Sequence, residues 1–216
     1  MTRYYPESKV EIQGFFASHY DTLLSLTTFG MVPMLMKNVI KLMEIKPSDR
    51  ILDLGAGTGS NACLMVGYLK NGEIVGLDIS REMIHQFKRK CSAYPNVKIL
   101  NKRIDKPLTF QQGFDKVFIS FTLHGFPQHA RRVIIRNAFK ALKNEGEFFI
   151  LNYGEFHGEL PPYLKVPFEK IECPYALDFM RRNWRKILKS EGFDDFKEYM
   201  FFGKILRMLR AVKLQG

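Results

Sequence analysis

At 216 residues the chain is long enough for one domain with a full core plus a small cap, and its 46% apolar and 25% charged content is that of a globular protein rather than a disordered or membrane-spanning one. No apolar run approaches a membrane span, MTRYYPESK has no signal-peptide core, and Cys63, Cys91 and Cys173 are too few and scattered for a disulfide framework, so a cytoplasmic location is expected. The net charge of +11 does not by itself imply nucleic acid: no binding module or basic tail is present, and the clusters Arg131, Arg132, Arg136 and Arg181, Arg182, Arg185, Lys186 read as solvated helix faces.

In chain order, Pro6 to Tyr20 reads as a helix around Val10, Ile12, Phe15 and Phe16, and Val32 to Ile45 as a Met-rich helix with Pro33 in its first turn. These helices either pack on the core or form an adaptable apolar lid over an apolar substrate. Residues 1–47 are therefore expected as a helical cap and residues 48–216 as the core.

The phrase ILDLGAGTGS, Ile51 to Ser60, is an apolar run that meets three glycines where a buried parallel strand turns into a helix. Free N–H groups at that helix start face whatever lies over the turn. A dinucleotide site requires G-x-G-x-x-G, but Ser60 stands where the third glycine belongs. The spacing of Asp53, Gly55, Gly57 and Gly59 instead resembles the first motif of class I S-adenosylmethionine (SAM) methyltransferases. About twenty residues on, EIVGLDI ends a second strand in Asp78, the place of an acid that accepts hydrogen bonds from ribose hydroxyls. Asn61 to Leu69 is expected as the first crossover helix, stopped at Asn71-Gly72. Ser80 is a plausible N-cap for a helix carrying Met83, Ile84 and Phe87.

Further resemblances follow. FFASHYDTLLSL, Phe15 to Leu26, is similar to the A-x-x-Y-D segment that precedes the core in many small-molecule methyltransferases, including the ubiquinone and menaquinone C-methyltransferases, which implies that Tyr20 lies over the cofactor and near the substrate. Val97 to Leu100 reads as a third strand, after which Arg103 stands where the family commonly has an Asp for the adenine amino group; Asp105 is the alternative partner, and stacking of Arg103 on the ring is the other reading. Lys116 to Ser120 reads as a fourth strand ending over the ligand crevice. The LHGFP that follows resembles a turn of the quinone-type enzymes, making His124 a candidate base or orienting donor. None of the five histidines has metal-ligand spacing to Cys or carboxylates, so no metal is expected.

Gln128 to Leu142 reads as a helix, and ALKNEGEFFILNYGE is similar to the family's A-L-K-P-G-G element with Glu145 among residues normally built as Pro-Gly. Phe148 to Leu151 is the expected fifth strand, followed by Tyr153, Glu155 and His157 as candidate substrate contacts. Gly158 to Pro174 is an expected loop, and Ala176 to Glu191 a single last helix ended by Gly192. The tail supports two readings: a closing hairpin of Asp194 to Phe202 and Ile205 to Leu214, or a basic amphipathic helix with Lys204, Arg207, Arg210 and Lys213 able to lie peripherally on an anionic membrane.

The resemblance implies an α/β fold, a Rossmann-like doubly wound seven-stranded sheet, mostly parallel with the last strand antiparallel, under an N-terminal helical cap. It implies SAM as cofactor, S-adenosylhomocysteine as product, and a small, apolar or aromatic methyl acceptor. The cofactor residues it implies are Tyr20, Asp53, Gly55, Ala56, Gly57 and Gly59, then Asp78, Ile79 and Met83, then Arg103, Ile104 and Ser120; the catalytic ones are His124 and Tyr20. A SAM-binding regulatory module without turnover, or a phospholipid or RNA acceptor, are the alternatives. An N/D-P-P-Y phrase after the fourth strand is absent, which argues against an amide-nitrogen or base methylase of that type.

Overall fold

The computed structural model describes residues 31–156, 158 and 173–214. The expected helix from Pro6 to Tyr20, Tyr20 with its implied role, His157, and all but the ends of the expected loop lie outside the described residues.

Seven strands form one sheet in the order β3-β2-β1-β4-β5-β7-β6. They are β1 Arg50–Leu54, β2 Glu73–Asp78, β3 Val97–Asn101, β4 Phe114–Ser120, β5 Leu142–Tyr153, β6 Phe193–Phe201 and β7 Leu206–Lys213. Every pairing from β3 to β5 is parallel, and β7 runs antiparallel to both β5 and β6. Helices cover both faces, so the central strands are apolar almost throughout. Ile51 and Leu52, Phe118 and Val117, and Phe149 and Phe148 point to opposite sides and join two separate cores.

On one side lie α1 Met31–Leu42, α2 Ser60–Met65 and α3 Arg81–Lys90; on the other, α4 Gln128–Ala141, α5 Ala176–Met180 and α6 Trp184–Lys189. Leu35, Met36, Val39 and Ile40 recur at helical spacing on α1 and are buried with Ile51, Phe118 and Phe149. Each contributes about 1.5–3 kcal/mol by leaving water. This described part of the expected cap therefore packs on the sheet.

Several expectations are corrected. The first crossover helix stops at Met65 and gives way to a 3-10 turn, Val66–Tyr68, where Gly67 weakens helix continuation. Strand β5 starts at Leu142, not Phe148, because Glu145 enters the left-handed region at φ 62° and a register shift between Phe114 and Lys116 absorbs the extra residues. Ala176 to Glu191 is two helices. Asn183 caps the second by accepting from the Lys186 N–H at 2.8 Å, and the Trp184 N–H is diverted to Glu155 at 2.9 Å. The closing hairpin forms, and the basic membrane-surface helix does not: Arg207 and Lys213 are buried in β7, bonded to Glu155 and to the Leu142 carbonyl.

The basic clusters lie largely on exposed helix faces, as expected, with Arg131 the exception. Arg132 and Arg136 both pair with Glu191, Arg182 with Asp178 and Arg185 with Glu198, while Arg131 is fully buried. Among the described residues no helix is long and apolar enough to cross a membrane, and no group of His, Cys, Asp or Glu could hold a metal ion.

Candidate active site

Strand order reverses between β1 and β4, so their carboxyl ends open the ligand crevice of a doubly wound sheet. Gly55, Gly57 and Gly59 all adopt positive φ (77°, 56° and 84°). The Gly55 and Ala56 N–H groups donate to the Leu77 carbonyl, tying the turn to β2. A Cβ on Gly55 would lie 2.7 Å from Thr122 Oγ1, and one on Gly59 2.8 Å from the Phe87 ring; one on Gly57 would meet nothing within 4 Å. Two glycines thus serve close packing, and the middle one leaves open space over the turn. Ala56 is buried and packs toward Gly76, where an added Cβ would come within 2.8 Å of its methyl.

Asp78 is fixed by backbone. Its Oδ2 accepts from Gly57 at 2.9 Å, and its Oδ1 accepts from Ile79 at 2.8 Å and Ser80 at 2.9 Å. Ser80 caps α3 by accepting from the Met83 N–H, which seats the buried Met83 beside the same loop. The Asp53 side chain is fully buried and neither carboxylate oxygen has a hydrogen bond. Burial, and then repulsion from Asp78, push its pKa up to about 7. An orphaned buried acid and a second acid against the turn suit a cationic, phosphate-free ligand, because a diphosphate would meet both carboxylates at close range. SAM, with its ammonium group, fits that pair of acceptors.

The remaining expected cofactor residues divide. Ser120, at the end of β4, accepts from Asn61 of α2 at 3.1 Å, and Ile79 is half-buried at the β2 end. Arg103 and Asp105 satisfy each other through two hydrogen bonds of 3.1 and 2.7 Å. Ile104 is buried in the core on the α4 side, and its carbonyl is held by Asn137. Behind the turn Cys63 and Cys91 touch, Sγ to Sγ at 2.7 Å, and burial pushes the Cys91 thiol up to about 12.

Beyond Ser120, Thr122 donates to the Ser120 carbonyl and the chain makes a 3-10 turn, Leu123–Gly125. His124 Nδ1 lies 3.0 Å from Asn152 Oδ1, and that same oxygen accepts the Tyr153 N–H at 2.8 Å. The second contact identifies the atom as the amide oxygen, so Nδ1 carries the proton and the lone pair of the neutral ring sits on Nε2. The His124 ring stands edge-on to Tyr153 and Phe179, with centroids 5.2 and 6.5 Å away.

Arg131 holds this turn in place. It donates to the carbonyls of Leu123 (3.2 Å), His124 (3.1 Å) and Tyr175 (2.7 Å) and to Asp178 (2.6 Å), and its guanidinium lies 5.2 Å from the Phe179 ring centre. Burial pulls its pKa down and Asp178 opposes that. Glu155, an expected substrate contact, instead accepts from Trp184 N–H and Arg207. Arg131, Asn152 and Asn61 are contributors that sequence reasoning missed. Arg131 lies three and four residues before the buried Ile134 and Ile135, and Asn152 alternates with Phe148 and Ile150, so periodicity carried a signal for both.

Residues 51–146 match a family model described as a methyltransferase domain. The chain is 28% identical to a demethylmenaquinone methyltransferase of Thermotoga maritima, over 86% of this chain and 88% of that one. It is 26% identical to the ubiquinone/menaquinone biosynthesis C-methyltransferase UbiE of Proteus mirabilis, over 89% and 72% of the two chains. Among solved structures, the CurJ carbon methyltransferase superposes with a TM-score of 0.71 at 17% identity, covering 93% of this chain and 60% of that one.

Proposed function

Since the chain is a class I SAM-dependent methyltransferase that resembles the ubiquinone/menaquinone C-methyltransferases, we propose that it methylates a small, apolar or aromatic acceptor and that His124 removes the acceptor's proton. The observation that carries this reading is His124 itself, at the carboxyl end of β4, edge-on to Tyr153 and Phe179 and with Nδ1 engaged by Asn152. Aromatic walls suit an apolar ring and exclude water, and a histidine held through Nδ1 presents Nε2 as the nitrogen that takes a proton. The quinone methylation in the relatives' names supports the same acceptor class.

Bound SAM supplies a methyl carbon already activated by its sulfonium. The protein then has to align the acceptor and take one proton from it. In this reading Asp53 faces the ammonium end, Gly57 leaves room for the ligand, Asp78 takes the ribose hydroxyls, and Ile79, Met83 and Ser120 border the nucleoside and methyl-transfer space. Arg103 and Asp105 act as a pair at the adenine end. The few cysteines, three in number and all free thiols, support a cytoplasmic location.

Methyl transfer from labelled SAM to a cell extract, separated into small-molecule, lipid and polymer fractions, tests the reading. Label in the small-molecule or neutral-lipid fraction is the expected result. Label in phospholipid or RNA instead would overturn the acceptor class.

A further inference from the structure

The Asn152 side chain is shielded from solvent, with 1% exposure, yet only half of its amide is used. Oδ1 takes two N–H groups, from His124 and Tyr153, while Nδ2 has no hydrogen-bond partner. A buried amide N–H without an acceptor costs about 1–3 kcal/mol. Such a cost persists where another molecule completes the bond, and here the unsatisfied donor belongs to the same group that orients the candidate base.

We propose that Asn152 is a positioning and specificity residue: its Oδ1 fixes His124 as the Nδ1–H tautomer, and its Nδ2–H donates to an oxygen of the methyl acceptor. This inference rests on the reading of His124 as the base. It implies an acceptor bearing a hydroxyl on an aromatic ring or enol. The hydroxyl proton passes to His124 Nε2 and its electron pair stays on the acceptor as an oxyanion that Nδ2–H stabilises; as the acceptor bonds the methyl carbon, the methyl–sulfur bond would break with its pair left on sulfur, giving S-adenosylhomocysteine, and one proton leaves through His124 for solvent. Among the described residues, the other titratable and charged groups with contacts at His124 or its turn include Tyr153 on β5, Arg131 on α4, Cys173, and Asp178 on α5. Arg131 and Cys173 donate to the His124 backbone carbonyl, Asp178 is bound to Arg131, and Tyr153 meets the ring edge. Among these contacts only that of Asn152 engages a ring nitrogen.

The two halves separate in two variants. Asn152→Asp keeps an oxygen for Nδ1–H and for Tyr153 N–H but removes the donor; Asn152→Ala removes both. In the full chain with 15N-labelled histidine, with His124→Gln to assign the signals, Nδ1 of wild type and of Asn152→Asp is expected to be the protonated nitrogen of the neutral ring. Asn152→Ala is expected to move toward Nε2–H. An Nε2–H ring in wild type, or an unchanged tautomer in Asn152→Ala, overturns the positioning half.

For the donor half, 4-nitrophenol serves as an oxygen-bearing probe, its phenolate form read by its own absorbance on the S-adenosylhomocysteine-loaded protein. Both variants should bind the phenolate about tenfold or more weaker than wild type, the loss typical of a hydrogen bond to a charged group. Wild-type affinity in Asn152→Asp, or no binding to wild type, overturns the donor half. Unchanged S-adenosylhomocysteine affinity in the variants shows that they are folded. If the tautomer pattern holds while no extract fraction accepts label, the methyl-transfer reading falls and the positioning of His124 stands.

Discussion

At the cofactor end of the cleft the contacts are made by main chain: three amides hold Asp78, two more fasten the glycine turn to the Leu77 carbonyl, and side chains matter chiefly by being absent. At the acceptor end the reverse holds. Arg131 gathers three carbonyls from two separate loops, and Asn152 orients His124 across 28 residues of sequence. A backbone cradle is specified by local residue types and spacing, whereas a side-chain latch is specified by which distant residues meet. The first suits an invariant ligand, and the second can be re-cut for different acceptors without disturbing it.

The contrast is most severely tested by Arg131→Met. Three carbonyls, that of Leu123 buried and those of His124 and Tyr175 part-buried, lose their donor, and Asp178 its buried partner, so a destabilisation of about 3–5 kcal/mol in urea unfolding is expected. SAM affinity of the folded fraction should change little. A variant that unfolds at the wild-type midpoint would show that the latch is decorative.

Asp53 probes the other end through pH. Its folded-state pKa of about 7 lies above the ordinary 3.8, so between those values the folded chain holds a proton that the unfolded chain has lost. Stability of the ligand-free protein should therefore fall by a few kcal/mol as pH rises through that window, and the fall should vanish in Asp53→Asn. A bound ammonium restores the carboxylate, so S-adenosylhomocysteine binding near pH 6 is expected to release a proton. Calorimetry in two buffers of different ionisation enthalpy measures it.

Next come the glycines. Gly59→Ala combines a left-handed backbone, about 1–2 kcal/mol, with the Phe87 clash, about 1–3 kcal/mol, and should lower the melting temperature. Gly57→Ala has only the first cost, because its Cβ meets nothing, and should lower SAM affinity more than it lowers stability. Equal effects of the two on stability and binding would erase the distinction between packing glycine and ligand-facing glycine. Asp78→Ala should weaken SAM binding by about 1.5–3 kcal/mol in titration calorimetry. The smallest effect is at Glu145: glycine there relieves a positive φ, and thermal unfolding should show a gain of about 1 kcal/mol with activity unchanged.

The same contrast explains what could be read before the fold was known. The central strands β1, β2 and β4 were legible because they are buried on both faces and therefore written as apolar runs. The pair of Asp53 and Asp78 was legible because a turn that must approach a ligand needs glycine, and the acid must stand at the next strand's end. Arg131 was not, since its neighbours Arg132 and Arg136 do face outward and a cluster of three suggests one common role. The break between α5 and α6 depends on Glu155 reaching the Trp184 N–H from 29 residues away, which no local propensity records. Asn152 falls just past Leu151, the expected end of the fifth strand. Its importance comes from His124, brought beside it by the parallel pairing of β4 and β5.

One feature of the sheet bears on how the molecule is made. The strand synthesised last of the seven, β7, lies inside the sheet, pairing with β5 over the seven positions from Glu147 to Tyr153 while β6 takes the rim. While the ribosome still holds Leu206–Lys213, β5 presents a bare, strongly apolar flank, and β6 has nothing to attach to. The natural route is for the two to fold on each other first and arrive together, which leaves the nascent chain adhesive until β7 has left the ribosome and favours chaperones that shield open strand edges.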